Sequence, residues 1–291
     1  MPRGERRSSW FEANINCLEI KYLYINTLGR LRIMKSLYFQ CAARSALGLV
    51  RKGNEDSALI GSQVIAVADG MGGHAGGEVA SSVAINTLSE IAPTFTSENI
   101  DLDSASDLYL NSLHTIDAQI RAVASDEPSL AGMGTTLTSL FINGNEVSLL
   151  HIGDSRAYRL RGNTLEQLSA DHTVLQELLD KGVISESEAQ VHPQRSMLTQ
   201  ALMGEGNLEP SLHIFEGKVQ DRYLLCSDGL SGVLTEKEIK TLIKGKGAAE
   251  AVDALIDATY INGAPDNVTI VIADIVEESS TQVEKLGAAK P

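Results

Sequence analysis

Five carboxylates stand in short, turn-prone motifs scattered along this chain. Glu55 and Asp56 lie within Gly53-Asn54-Glu55-Asp56-Ser57, and Asp69 heads Asp69-Gly70-Met71-Gly72-Gly73-His74. Asp228 sits in Ser227-Asp228-Gly229 and Asp266 in Pro265-Asp266-Asn267. Residues this far apart act together only if the fold gathers them, and gathered carboxylates repel unless a cation sits between them. Hard divalent ions such as Mg²⁺ and Mn²⁺ take oxygen ligands in octahedral geometry, and two such ions make a hydrolytic site. The chemistry indicated is metal-dependent hydrolysis.

Composition agrees with that reading. The 291 residues suffice for one large domain or two small ones, and a hydrophobic fraction of 43% allows a substantial core. A formal charge of −14 suits a protein that holds cations and argues against nucleic acid or an anionic membrane as the main partner. Three cysteines, Cys17, Cys41 and Cys226, are odd in number and form no Cys-x-x-Cys pair, which favours a reducing, cytoplasmic setting. No apolar run reaches the roughly 18 residues of a membrane helix. The nearest, Leu18 to Met34, is broken by Glu19, Lys21, Arg30 and Arg32. No clean apolar stretch precedes a small-residue cleavage site, so no signal peptide is expected.

The elements that must position the carboxylates come from Cys41 onward. Val64 to Ala68 is a short apolar run that stops at Asp69-Gly70, a buried strand ending in a turn. Helical spacing follows over Glu78 to Ile91 and again from Ser106 to Val123. Thr135 to Leu168 reads as successive hairpins, with Asn143-Gly144-Asn145, Gly153-Asp154-Ser155 and Arg161-Gly162-Asn163 at the turns. Tyr223 to Cys226 and Val268 to Ile272 are further strands, beside Asp228 and Asp266. Helices are expected over Glu236 to Ile243 and Ala248 to Thr259. Strands and helices do not alternate, which disfavours a doubly wound parallel sheet and favours an α+β architecture with a β-sandwich core and helices outside. Glu55-Asp56 reads as a turn, and Gly70 and Gly229 as the residues that let the backbone bend after each aspartate.

The ends differ from the middle. The first 39 residues carry seven Lys/Arg against three Glu, a net +4 in an otherwise acidic chain, and six of the thirteen aromatics. They read either as a basic, aromatic docking arm or as an over-extended start, with translation beginning at Met34; the second is preferred. Residues 1–40 are therefore set apart as an extension, 41–278 as the domain and 279–291 as a frayed tail.

Taken together, Arg51-Lys52-Gly53-Asn54-Glu55-Asp56-Ser57, Asp69 to His74, Gly132-Met133-Gly134-Thr135-Thr136, Gly153-Asp154-Ser155-Arg156, Ser227-Asp228-Gly229 and Pro265-Asp266-Asn267 closely resemble the PPM (type 2C) family of metal-dependent Ser/Thr protein phosphatases, in its bacterial branch. The resemblance covers about Ala42 to Val276. It implies a sandwich of two antiparallel sheets flanked by α-helices. It also implies an Mn²⁺- or Mg²⁺-dependent enzyme with two ions, or three, that hydrolyses phosphoserine and phosphothreonine on proteins through a hydroxide held between the metals. Asp69 would bridge the ions, Asp228 and Asp266 would complete the first, and the Gly70 carbonyl would join the second with Glu55 and Asp56 in support. Asp154, Asp228 and Ser196 would hold a third ion. Arg51 would bind phosphate through its planar fork, and His74 would be the general acid. The segment 171–210 would be a mobile flap beside the site. A cytoplasmic monomer is expected, with phosphorylated proteins, a Ser/Thr protein kinase among them, as partners.

Plainer roles stand beside these. His74 could cap the following helix, Asp154 could be a turn residue, and serine is a poor metal ligand. Arg156 reads better as an ion-pair partner than as a phosphate binder, His151 as a satisfied core histidine, and Asn267 as the residue that orients Asp266. Two rival functions are weaker. A binding module of catalytically dead type would normally have lost metal ligands, and a two-metal nuclease would need a basic stripe for its polyanion.

Overall fold

The computed structural model describes residues 23–25 and 31–33 by their backbone, together with residues 36–72, 75–97, 100–185, 188, 197–206, 208 and 210–290. Met34 and most of the amino-terminal extension lie outside the described residues. Strands β1 (Leu23–Ile25) and β2 (Leu31–Ile33) pair as an antiparallel hairpin of their own.

Strand β5 (Val64–Met71) shows why the domain is layered. Ile65 and Val67 pack into the space between two sheets, while Val64, Ala66 and Ala68 pack beneath helices. A strand covered on both faces reads as a continuous apolar run, which is what this segment is. Its sheet contains β4 (Asp56–Ile60), β7 (Leu137–Asn143), β8 (Glu146–Ile152), β11 (Leu212–Glu216) and β14 (Glu284–Gly287), in the order β11-β8-β7-β5-β4-β14. Short β6 (Gly134–Thr135) pairs with the end of β5. The second sheet runs β10-β9-β12-β13-β3, from β3 (Tyr38–Ala46), β9 (Arg156–Arg161), β10 (Thr164–Gln167), β12 (Arg222–Cys226) and β13 (Val268–Val276). All these pairings are antiparallel.

Helices α1 (Gly76–Phe95) and α2 (Leu102–Asp126) cover the first sheet with Ile85, Leu88, Tyr109 and Ile116. Helices α5 (Glu236–Ile243) and α6 (Ala248–Ile261) cover the second with Ile239, Ile243 and Leu255. Between the sheets, Phe39, Tyr223, Leu225 and Val271 meet Ile65, Val67, Leu140 and Leu149. The α+β sandwich with helices on both outer faces is the expected architecture. Short α3 (Val174–Asp180) and α4 (Asp228–Ser231) complete the set used below.

The structure corrects two expectations about the ends. Domain packing begins before Cys41, because Phe39 is fully buried with its ring edge-on to Tyr223 at 6.1 Å. Residues 279–290 are not the expected frayed tail. Ser279 Oγ donates to the Phe39 carbonyl at 2.6 Å, and Thr281 Oγ1 accepts the Cys41 N–H at 2.9 Å. Strand β14 then pairs with β4 from Glu284↔Ile60 to Gly287↔Ser57, giving β4 a neighbour on its open edge. A polar four-residue strand leaves no alternation in the sequence to announce it.

Candidate active site

Strand register brings the first two carboxylates together. Asp56 and Asp69 are direct partners across the β4–β5 pair. Ala58 and Ile60 point into the space between the sheets, and side chains alternate along a strand, so Asp56 points there too, as does Asp69 in line with Ile65 and Val67. Asp56 is thus the first residue of a strand and not part of a turn. In the facing sheet, β12 and β13 pair with Cys226 opposite Ile270. Asp228, just beyond β12, and Asp266, just before β13, therefore emerge at one end of the sandwich.

The glycines after the aspartates have a different purpose from a sharp bend. Gly70 lies within β5 and Gly229 within α4, and neither has a positive φ. A Cβ on Gly229 would stand 1.9 Å from the Asn267 carbonyl oxygen, and one on Gly70 would stand 2.0 Å from that of Gly77. Backbone approach this close admits only glycine. It packs the Asp228 turn onto the Asp266 turn, and the end of β5 onto the start of α1.

A cavity of about 550 Å³ opens at this end of the sandwich. Glu55, Asp69, Asp154, Asp228 and Asp266 line it with Arg51 and Gly70, and its far wall is Leu198 to Ala201 with Met203. Asp56 lies beneath the lining, 1% exposed, where it accepts a hydrogen bond from Ser227 Oγ at 2.8 Å. Arg51 reaches across and donates to Asp266 Oδ2 at 2.6 Å. His74 and Ser196 lie outside the described residues, as does part of the expected flap. In sequence, His74 stands between Gly72, which lines the cavity, and Gly76, the first residue of α1.

The electrostatics are those of crowded acids. Burial pushes the Asp56 carboxyl up to about 7, against hydrogen bonds from Ser227 and Thr269 and with the charges of Asp228 and Asp266 adding to the rise. Burial, then Asp56, Asp228 and Asp154, holds Asp69 well above the usual carboxylate range. Asp154 is pushed to about 7 by burial and the charges of Asp228 and Asp171. Asp228 is raised by burial and by Asp266, and Glu55 by burial, with Arg51 opposing. Each of these groups resists being charged as the site stands.

That donor set fits hard divalent ions. It consists of carboxylates and a backbone carbonyl, with no histidine or thiolate among the described lining residues, and oxygen-only sets select Mg²⁺ and Mn²⁺ over zinc or copper. Among the described residues, no three Asp, Glu, His or Cys side chains already close around one point. The carboxylates instead face open space across which they repel.

Threonine and serine hydroxyls fix the backbone behind the acids. Thr136 Oγ1 accepts the Asp69 N–H at 3.0 Å, and the Asp69 carbonyl accepts from Thr135 Oγ1 and from the Thr136 N–H, each at 2.9 Å. Thr135 and Thr136 stand in one of the motifs that carry the family resemblance, but their hydroxyl chemistry gives no sign of what they hold until β6 is seen against β5. Ser227, Leu198 and Met203 carry no chemical signal in the sequence, since a serine before Asp-Gly and apolar residues in a polar stretch look ordinary. Arg156 forms a fork with Asp171, with contacts from 2.6 to 3.0 Å, so it is an ion-pair partner. His151 is satisfied by Thr138 Oγ1 at 2.9 Å and the Ala170 carbonyl at 3.0 Å. Asn267 holds Asp266 through its backbone N–H, at 2.8 Å, while its side chain accepts the Glu55 N–H and donates to the carbonyls of Leu47 and Gly53. It ties the Asp266 motif to the Gly53-Asn54-Glu55 motif and to the end of the segment that precedes it.

Known proteins are similar to this chain in sequence and fold. The family model described as Protein phosphatase 2C matches residues 54–259. The serine/threonine protein phosphatase PstP of Mycobacterium tuberculosis is 43% identical over 258 residues, which cover 86% of this chain and 48% of PstP. The chain thus spans about half the length of that relative. The serine/threonine phosphatase stp of Listeria monocytogenes is 34% identical over 249 residues, covering 82% of this chain and 96% of stp. A crystal structure of the PstP catalytic domain in complex with two manganese ions superposes with a TM-score of 0.75 at 41% identity, covering 83% of this chain and all of that one. The chain belongs to the protein phosphatase 2C family.

Proposed function

We propose that this chain is a metal-dependent phosphatase that hydrolyses phosphoserine and phosphothreonine on proteins. One observation carries the reading: Asp69, Asp228, Asp266, Asp154 and Glu55 converge on a single cavity that also holds Arg51. Divalent ions bound there, Mn²⁺ or Mg²⁺, would supply positive charge to lower the pKa of water and to offset charge on the phosphoryl oxygens.

Each residue then has a task. Asp69, Asp228, Asp266, the Gly70 carbonyl and Glu55 would hold two ions, and Asp154, Asp228 and Ser196 a third. Asp56, buried against Ser227, would set the position and charge of Asp69 from beneath. Arg51, 48% exposed at the cavity edge, would turn its fork to two phosphate oxygens. His74 would donate the proton that the departing Ser or Thr oxygen needs. On the same reading the enzyme acts as a cytoplasmic monomer and opposes a Ser/Thr protein kinase, itself among the substrates. The acidic chain supports protein over nucleic acid as the substrate. Among the described residues no helix is long and apolar enough to cross a membrane.

The test is manganese-dependent phosphate release from a phosphothreonine peptide by the wild type and Asp228→Ala, with metal binding by calorimetry. Metal-dependent turnover that drops at least about a hundredfold in the variant supports the proposal. Folded wild type that binds manganese and releases no phosphate would overturn it in favour of a binding module.

A further inference from the structure

The cavity wall is held from a distance by a carboxylate outside the cluster. Asp117, on α2, is 2% exposed. Its Oδ1 accepts the Gly204 N–H at 2.7 Å and its Oδ2 accepts the Gly206 N–H at 2.9 Å. Arg121, one turn on, donates from Nε to the Gly204 carbonyl and reaches Asp117 Oδ2 at 3.4 Å. Both glycines have positive φ, and a Cβ on Gly204 would lie 2.8 Å from the Arg121 backbone, so the loop sits directly on the helix.

The residues just before this anchor form the wall. Leu202 exchanges two hydrogen bonds with Thr135, at 2.9 and 3.0 Å, and Met203 lines the cavity. At its other end the wall is tied to the start of α3 and the residues just before it, where the Val174 N–H meets the Met197 carbonyl and the Thr199 N–H meets that of His172, both at 2.9 Å. Leu198, Ala201 and Met203 give the wall an apolar surface beside Thr199 and Gln200, on the opposite side of the cavity from the carboxylates, and Met197 stands exposed beside them. Its apolar side chains have nothing to offer a phosphate group and much to offer the peptide that carries one.

We propose that Asp117, assisted by Arg121, is a positioning residue that fixes the wall Leu198–Met203, so that helix α2 sets how tightly the peptide portion of the substrate is held. The proposal rests on the phosphatase reading for its substrate but not for its structural half. Thr135 keeps its own pairing with Gly70 and its bond to Asp69, so the carboxylate cluster does not depend on the anchor.

The experiment compares manganese-loaded wild type with Asp117→Asn, Gly204→Ala and Arg121→Ala; the last removes an exposed side chain and is the variant safest for folding. Amide hydrogen exchange over 197–206 is expected to accelerate in all three, while β5 and β7 keep their protection. KM for a phosphothreonine peptide is expected to rise by about five- to tenfold, the scale of one hydrogen bond's net contribution. kcat, and KM for p-nitrophenyl phosphate, which has no peptide, should stay within about twofold, since a cluster that is untouched keeps its transition-state contacts. Unchanged exchange over 197–206 overturns the anchor whatever the activity. Equal losses on both substrates overturn the peptide-specific role. A wild type that hydrolyses neither substrate defeats the phosphatase reading and the peptide half with it, while the exchange data still decide the anchor.

Discussion

Asp56 and Asp69 face each other directly across the β4–β5 pair, two buried-side acids at adjacent positions of one sheet face. Like charges placed this way destabilise a sheet, and hydrogen bonds from Ser227 and Thr269 only partly offset the burial of Asp56. The arrangement makes sense as a site whose stability is completed by cations.

Metal-free protein should therefore lose stability as pH rises. The Asp56 and Asp154 carboxyls are raised from 3.8 to about 7, so the folded chain keeps protons there that the unfolded chain has lost. More protons bound in the native state means that stability falls as pH climbs through this window and is greatest below it. Differential scanning calorimetry of EDTA-treated protein should give a higher Tm at pH 5.5 than at pH 8, by several degrees at about 2–4 °C per kcal/mol. Asp56→Asn should flatten that slope, and saturating Mn²⁺ should reverse it, because the metal competes with protons for the same oxygens. A metal-free Tm that rises with pH would contradict the crowding of these acids.

Arg51 should matter through its fork. It is bound to Asp266 at 2.6 Å at the cavity edge and is exposed enough to turn. Arg51→Ala is expected to raise KM for phosphopeptide about tenfold or more, the worth of a charge-assisted hydrogen bond pair. Arg51→Lys should recover only part of this, since an ammonium keeps the charge and loses the fork. Steady-state kinetics at saturating Mn²⁺ decide it; full recovery by lysine would reduce Arg51 to a point charge.

Gly229→Ala should damage the site without touching a carboxylate. Its methyl would meet the Asn267 carbonyl at 1.9 Å and force the Asp228 and Asp266 turns apart. A stability loss of about 1–3 kcal/mol is expected from overpacking, along with weaker manganese binding in calorimetry. Unaltered metal affinity would show that the spacing of these turns is not critical.

Removal of residues 279–291 should destabilise the domain. It would delete β14, the bonds of Ser279 and Thr281 to β3, and the buried Ala289 side chain. A lower urea midpoint is expected, with faster amide exchange along β4, which includes Asp56. A truncated chain as stable as the full one would restore the reading of these residues as a tail.

The amino-acid sequence by itself determined which chemistry was on offer. Carboxylates in Asp-Gly and Asn-Glu-Asp motifs, an acidic chain, and apolar runs bounded by turn-prone residues specify oxygen-ligand metal chemistry on a β-sandwich, because residue type and local period are properties of short segments. Tertiary structure alone decided how those segments meet. Register, a long-range property, set Asp56 opposite Asp69; close packing showed that Gly70 and Gly229 are there for backbone approach and not for turning. The strand at Glu284–Gly287 and the anchor from Asp117 to Gly204 left no local trace. The strand rests on backbone hydrogen bonds and the anchor on a carboxylate that accepts two backbone N–H groups, each between segments distant in the chain, and such bonds depend on where a backbone lies in space.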